Sequence, residues 1–221
     1  MDIFTNMHKE PNNMCEKIDD TTELIENYIY TRTLNLNLHH LHDSCDKMYK
    51  LIKKSFVNNK MEHSGHTTLS TKLYASYNLL LYPLPGLHEL FHEIKKLFNQ
   101  VNTSEKSQHE KYYMQCWLNY YKKGQFIDWH GHWPAEQNTW HGYYCVDVEP
   151  SHTSYKLPDN DGNITVIHNK NNLLVLSPSD GDIHKSSEWM YDDRPRITIA
   201  FDIVPRQHLL YDVFLNHWIP V

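Results

Sequence analysis

From residue 111 onward the chain is dominated by short runs rich in β-forming side chains: 112 to 121, 126 to 131, 142 to 148, 163 to 168, 172 to 177 and 196 to 204. Gly, Pro, Asn and Asp separate the runs, as expected for strands joined by tight turns. In a strand alternate side chains point to opposite faces, so each run can line a core with one face only. Upstream the pattern changes. Residues Ile29 to Leu38 alternate as one more strand, after which Met48, Leu51, Ile52 and Phe56 recur at helical spacing behind the candidate N-caps Asp43 and Ser44. A strand is also expected from Lys72 to Leu81. The Pro83 to Gly86 turn breaks it ahead of a second amphipathic helix carrying Leu87, Leu90, Phe91, Ile94, Leu97 and Phe98, and a polar loop follows from Asn99 to Glu110. Helices first and many short strands afterwards predict a mostly β fold with flanking helices, either a sandwich or a small barrel.

With 221 residues, 40% of them hydrophobic, the chain can bury one sizeable core. A single domain is expected over residues 21–221, behind a polar, aperiodic arm at 1–20. Within it, 21–110 would form the helical buttress and outer strands, 111–206 the strand-rich core and 207–221 a C-terminal extension. A net charge of −6, with Lys and Arg scattered, argues against a nucleic-acid partner, because phosphate binding needs clustered basic charge. The four cysteines stand at wide spacings without a Cys-x-x-Cys pair, which points to reduced thiols. Neither a signal peptide nor a long apolar span is visible, so a cytoplasmic protein without a membrane partner is expected.

Seventeen histidines make chance pairs common, so spacing has to decide which of them carry chemistry. His39, His40 and His42 read as a solvated loop. His88 and His92 share a helix face, but Glu89 and Glu93 beside them mark that face as solvent-exposed, and no third ligand accompanies them. His130 and His132 differ. They close the run that begins at Asn119, and two imidazoles at i and i+2 of a strand point the same way. His184 ends an apolar run, Leu173-Leu-Val-Leu, that passes through a Pro/Gly turn. Further on, Arg196 and Thr198 share one strand face, where a fixed cation and a hydroxyl can grip a carboxylate.

Taken in this order, residues 112 to 206 resemble the Fe(II)/2-oxoglutarate-dependent dioxygenase superfamily. The resemblance implies a double-stranded β-helix, the jelly-roll or cupin-like core, buttressed by the N-terminal helices. In that family a His-x-Asp pair and a distal His hold the iron, and an Arg-x-Ser/Thr pair binds the far carboxylate of 2-oxoglutarate. The matching positions are His130 and His184 for iron, and Arg196 with Thr198 for the cosubstrate. Asn119, Tyr121 and Tyr144 match weaker family positions that touch the cosubstrate. The cofactors implied are Fe(II), 2-oxoglutarate and dioxygen, with release of succinate and CO2 as a substrate is hydroxylated; no catalytic residue beyond the metal centre is implied.

His132 stands where the family has its aspartate. Either it is the third ligand of a three-histidine site, or it points past the metal and leaves the place to solvent or to Asp128 or Glu136. Trp133, Trp140, His141 and Trp189 flank the centre in sequence and are candidates for the substrate wall. A protein side chain or a small molecule is the expected substrate. A cupin-like, non-oxidative metal protein or isomerase is the alternative, discriminated by what Arg196 pairs with.

Overall fold

A computed structural model of the chain describes residues 21–55, 67–103, 110–158, 160–209 and 217–221. The expected arm at 1–20, Phe56, residues 104–109 of the expected polar loop and residues 210–216 of the C-terminal extension lie outside the described residues. The order of elements is β1 (Thr22–Ile25), β2 (Ile29–Thr33), α1 (Leu38–Ser55), α2 (Leu69–Lys72), α3 (Leu87–Val101), β3 (Tyr112–Tyr121), β4 (Trp140–Asp147), β5 (Ser151–Lys156), β6 (Ile164–Asn169), β7 (Leu173–Pro178), β8 (Ile183–Ser186), β9 (Arg196–Pro205) and β10 (Ile219–Pro220).

Two antiparallel sheets form the core. The larger runs β1-β2-β7-β4-β9-β3-β10 and the smaller β6-β5-β8. This is the jelly-roll arrangement, with helices on one side. β9 lies between β3 and β4, and every residue of it is buried, because one of its faces meets the helices and the other lines the space between the sheets. Along β9, the positions Arg196, Thr198, Ala200 and Asp202 share the inner face. Their partners Tyr121, Asn119, Trp117 and Gln115 on β3, with Tyr143 and His141 on β4, do the same.

The outer face is apolar. Ile199, Phe201 and Ile203 of β9, with Met114 and Leu118 of β3, join one buried cluster with Leu41, Met48 and Ile52 of α1 and Leu90, Ile94 and Leu97 of α3. Each such side chain contributes about 1.5–3 kcal/mol when fully buried. Gly142 permits the packing. A Cβ there would stand 2.2 Å from the Val175 carbonyl oxygen and 2.6 Å from the Phe201 ring.

Three expectations fail in instructive ways. The strand expected from Lys72 to Leu81 is instead α2 followed by 3-10 turns at Tyr74–Ser76 and Leu79–Leu81. Asn78 decides this. Its Oδ1 accepts from the Leu80 and Cys116 amides, and its Nδ2 donates to the Met114 and His217 carbonyls, so side-chain bonds to β3 replace a strand ladder. The strand expected to run to Leu38 stops at Thr33, and α1 starts at Leu38, ahead of Asp43 and Ser44. Asn37 is the cap, its Oδ1 accepting from the His40 amide at 3.2 Å. His39, His40 and His42 accordingly lie in the first turns of α1 rather than in a loop. The run at 126–131 forms no regular strand. It is tied to β8 by the His130–His184 bridge, His130 N–H to His184 O at 3.0 Å and His184 N–H to His130 O at 2.9 Å, and by Ile127, whose carbonyl accepts from Ser186 N–H at 3.1 Å and whose N–H donates to Ser186 Oγ at 3.0 Å. Both β5 and β8 went unread as strands, being short and rich in polar residues.

Candidate metal and cosubstrate site

A cavity of about 600 Å³ opens between the two sheets. It has two chemically distinct parts.

In the middle stand His130, His132 and His184, each offering a ring nitrogen, all within 4.8 Å of one another. The ring centroids lie 4.3 Å apart for His130–His184, 5.2 Å for His132–His184 and 5.4 Å for His130–His132. Two of the imidazoles are oriented by an acceptor behind them. His130 Nδ1 lies 2.8 Å from the Asp128 carbonyl, and His132 Nδ1 lies 2.5 Å from Asp202 Oδ1. With Nδ1–H donated outward in each, Nε2 keeps its lone pair, the tautomer a metal ligand needs. Nδ1 of His184 is buried with no hydrogen-bond partner among the described residues.

Burial and the neighbouring His132 push the His130 ring down to about 4, and burial holds His184 well below the ordinary imidazole range. Both are therefore neutral near pH 7. For His132 burial also works downward, but the charge and hydrogen bond of Asp202 outweigh it and the net shift is upward.

Behind this cluster His141 stacks on His132 at 4.5 Å and on His184 at 4.8 Å. Its Nε2 lies 2.9 Å from Asp182 Oδ2 and 3.0 Å from Ser177 Oγ. His141, Asp182 and His184 form a second group of converging donors, entirely buried. The alternative carboxylates stand elsewhere. Asp128 is exposed and its Oδ1 accepts from the Trp129 amide, while Glu136 is exposed on the Asp180 side.

At the inner end Arg196 is only 1% exposed. Its guanidinium donates to Ser186 Oγ at 2.8 Å and to the Ser187 carbonyl at 2.6 Å, and stacks on the Tyr121 ring at 4.3 Å. No carboxylate pairs with it among the described residues, and both its Nε and the Tyr121 hydroxyl lack partners. Asn119 joins the same wall, its Nδ2 donating to Thr198 Oγ1 at 3.2 Å and its Oδ1 accepting from Thr71 at 2.6 Å. Ser186 follows His184 by two positions on β8. At about 3.3 Å per residue the backbone positions of His184 and Ser186 are about 7 Å apart along the strand.

The remaining candidates separate by strand phase. Tyr144 lies on the helix-facing side of β4, its hydroxyl bonded to Asn172, and Tyr143 takes the cavity position instead, its hydroxyl donating to Asn169 at 3.0 Å. Trp140, in the same phase as Tyr144, packs against Tyr30 and Phe98 rather than lining the cavity. Trp189 is fully buried, its indole N–H donating to the Arg194 carbonyl, and it lies away from the cavity. Trp133 does line the outer end, together with Trp117, Trp218 and Tyr74, and its indole N–H donates to Asp202 Oδ2 at 3.1 Å. The sequence reading missed Asp202 and Asp182. Asp202 was within reach of it, since it shares the period-two phase of Arg196 and Thr198.

No protein-family model matches the chain, and no curated protein matches it in sequence. Solved structures do. AviO1 from Streptomyces viridochromogenes is 12% identical at a TM-score of 0.53, covering 80% of this chain and 89% of that one. The non-heme α-ketoglutarate-dependent carbocyclase SnoK from nogalamycin biosynthesis is 9% identical at 0.52, covering 80% and 79%. A prolyl-4-hydroxylase from Pseudomonas putida is 13% identical at 0.45; 55% of this chain spans 66% of that protein, just under two thirds of its length. The fold is thus the double-stranded β-helix of the Fe(II)/2-oxoglutarate oxygenases. Among the described residues no helix is long and apolar enough to cross a membrane.

Proposed function

We propose that this protein is an Fe(II)- and 2-oxoglutarate-dependent oxygenase that hydroxylates a small molecule or a protein side chain. The observation that carries the proposal is Arg196, a buried guanidinium facing a cavity with no carboxylate beside it among the described residues. Burying a lone cation is costly, and an anionic ligand removes the cost. A keto diacid fits: its far carboxylate would accept from Arg196 Nε and the Tyr121 hydroxyl, with Thr198 and Asn119 alongside.

The donor set also fits the metal. His130, His132 and His184 would hold Fe(II) on one side, a three-nitrogen arrangement that leaves coordination positions free. When bound, the iron and the keto diacid supply the oxidation, dioxygen and 2-oxoglutarate going to succinate, CO2 and hydroxylated substrate. The chain's own residues bind and shield. Arg196 and Tyr121 fix one end of the diacid, the second-layer acceptors hold the imidazoles in register, and Trp117, Trp133 and Trp218 exclude water from the outer end. A cupin-like protein without an acidic ligand would leave Arg196 uncompensated, which disfavours that reading. A cytoplasmic location remains part of the proposal.

The test is direct. Purified protein supplied with Fe(II), ascorbate and 2-oxoglutarate should release succinate slowly even without its prime substrate, and should bind 2-oxoglutarate only when a divalent metal is present. The absence of both succinate release and metal-dependent binding would overturn the proposal.

A further inference from the structure

Resting on the iron and keto diacid reading above, the geometry points to Asp202 as the positioning residue that supplies the metal centre with its missing negative charge, through His132. Family members place a carboxylate directly on the metal at the position of His132. Here the nearest carboxylate has moved one imidazole outward, onto β9, and is joined to the ligand ring at 2.5 Å.

Three observations carry the inference. Asp202 is 7% exposed and points to the inner face of a strand buried throughout. A carboxylate in such a place needs a positive partner, and among the described residues its single ion-pair partner is His132. An imidazole with a divalent metal on its far nitrogen is such a partner. Both carboxylate oxygens are also committed, Oδ1 to His132 and Oδ2 to the Trp133 indole, so the group is held rigidly and is not free to become a ligand. The other nearby carboxylate, Asp182, is bonded to His141 and stands 3.9 Å from His184 Nδ1, outside hydrogen-bond range.

With three neutral imidazoles, the two positive charges of the metal and the one on Arg196 exceed the two negative charges of the keto diacid by one. Asp202 is the carboxylate bonded to a ligand ring that offsets this excess, and Asp182, bonded to His141, adds a further negative charge behind it. A carboxylate hydrogen-bonded to a ligating histidine also raises the basicity of the ring and fixes its orientation. A histidine-for-aspartate exchange at position 132 would accordingly move the negative charge outward by one ring without removing it from the site.

Titration with Co(II), followed by its visible absorption and by chelator competition, tests this when 2-oxoglutarate affinity is measured separately on the Co(II)-saturated protein. Asp202→Asn is expected to weaken Co(II) by about 10–100-fold while 2-oxoglutarate binding to the loaded protein is undiminished or tighter, because the centre has become more positive. A purely structural role would weaken both together. Trp133→Phe removes the second bond of Asp202 and keeps the first, so it should leave Co(II) affinity far closer to that of the parent. His132→Asp alone crowds two carboxylates and should weaken 2-oxoglutarate binding; adding Asp202→Asn should restore it. That restoration remains readable even if Asp202→Asn by itself fails to fold. The inference is overturned if Asp202→Asn leaves Co(II) affinity unchanged, if Trp133→Phe matches its loss, or if the double variant restores nothing. Parent protein that binds Co(II) and 2-oxoglutarate normally in those cases leaves the oxygenase reading standing; parent protein that binds neither brings down both.

Discussion

The two segments that build the site are made in opposite ways. β9 is hydrogen-bonded on both edges and buried along its whole length, and it delivers Arg196, Thr198 and Asp202 by strict alternation. Residues 127 to 132, which deliver His130 and His132, form no regular strand and rest on the His130–His184 bridge, the two bonds between Ile127 and Ser186, and the bonds of the two imidazoles to the Asp202 carboxylate and the Asp128 backbone carbonyl. A ladder fixes side-chain position before any ligand arrives. A segment held by one bridge, the Ile127–Ser186 bonds and two imidazole bonds gains part of its definition from what the imidazoles hold. On the proposed reading the cosubstrate end of the cavity is therefore preorganised, and the metal end would be completed by its metal.

The largest effect that would break this comparison is at Arg196. Replacing it, Arg196→Met, is expected to cost about 2–5 kcal/mol of 2-oxoglutarate binding, the usual range for truncating one side of a buried charged pair, as read by calorimetry with Mn(II) in place of iron. The ligand-free protein should melt no lower than the parent, because a lone buried cation has been removed. A clear fall in melting temperature would mean that the guanidinium is structural.

Next comes the metal end. Saturating Co(II), at one hundred times its dissociation constant, should stabilise the protein by about 2.7 kcal/mol, and His184→Ala should abolish that gain. Hydrogen exchange would sharpen the contrast: amides of 127–132 should slow on metal addition much more than those of β9. Equal slowing would erase the distinction drawn between the two segments.

Gly142→Ala tests the scaffold beneath both. Its Cβ would overlap the Val175 carbonyl and the Phe201 ring, so a loss of about 1–3 kcal/mol is expected by chemical denaturation. The smallest effect is that of acid on the metal-free protein. His130 and His184 have folded pKa values below their unfolded ones, so between pH 6.5 and about 4 the unfolded chain takes up protons that the folded chain refuses. Stability should fall across that window as pH drops. His132 opposes them, since its raised value adds stability on the acid side that is lost as pH rises through its folded pKa. The urea midpoint should be lower at pH 5 than at pH 7, and a rise would show that His132 dominates.

Legibility in the sequence followed the same division. β3, β7 and β9 were visible as runs, and the inward phase of β9 could be read from Arg196 and Thr198 alone. Phase failed on β4, where Tyr144 was favoured and Tyr143 faces the cavity. Adjacent aromatic residues offer no alternation by which to choose, and Gly142 next to them has no side chain to mark a face. Proximity in sequence misled for Trp140 and Trp189, because a neighbour in the chain points the opposite way in a strand, or packs into a loop of its own. For Lys72 to Leu81 the apolar content suited a strand, but four side-chain bonds from one asparagine outweighed it.

What the sequence determined by itself was the strands β3, β7 and β9 and the residue types that can meet metal and carboxylate, since period-two patterning and ligand chemistry are local properties of the chain. What the tertiary structure decided was pairing at a distance: which aromatic of β4 faces inward, that Arg196 has no carboxylate partner among the described residues, and that Asp202, seventy positions from His132, stands behind that ring. Such facts depend on strand register and on burial, which set how far apart two groups lie and how strongly water screens them, and neither can be read from a single segment.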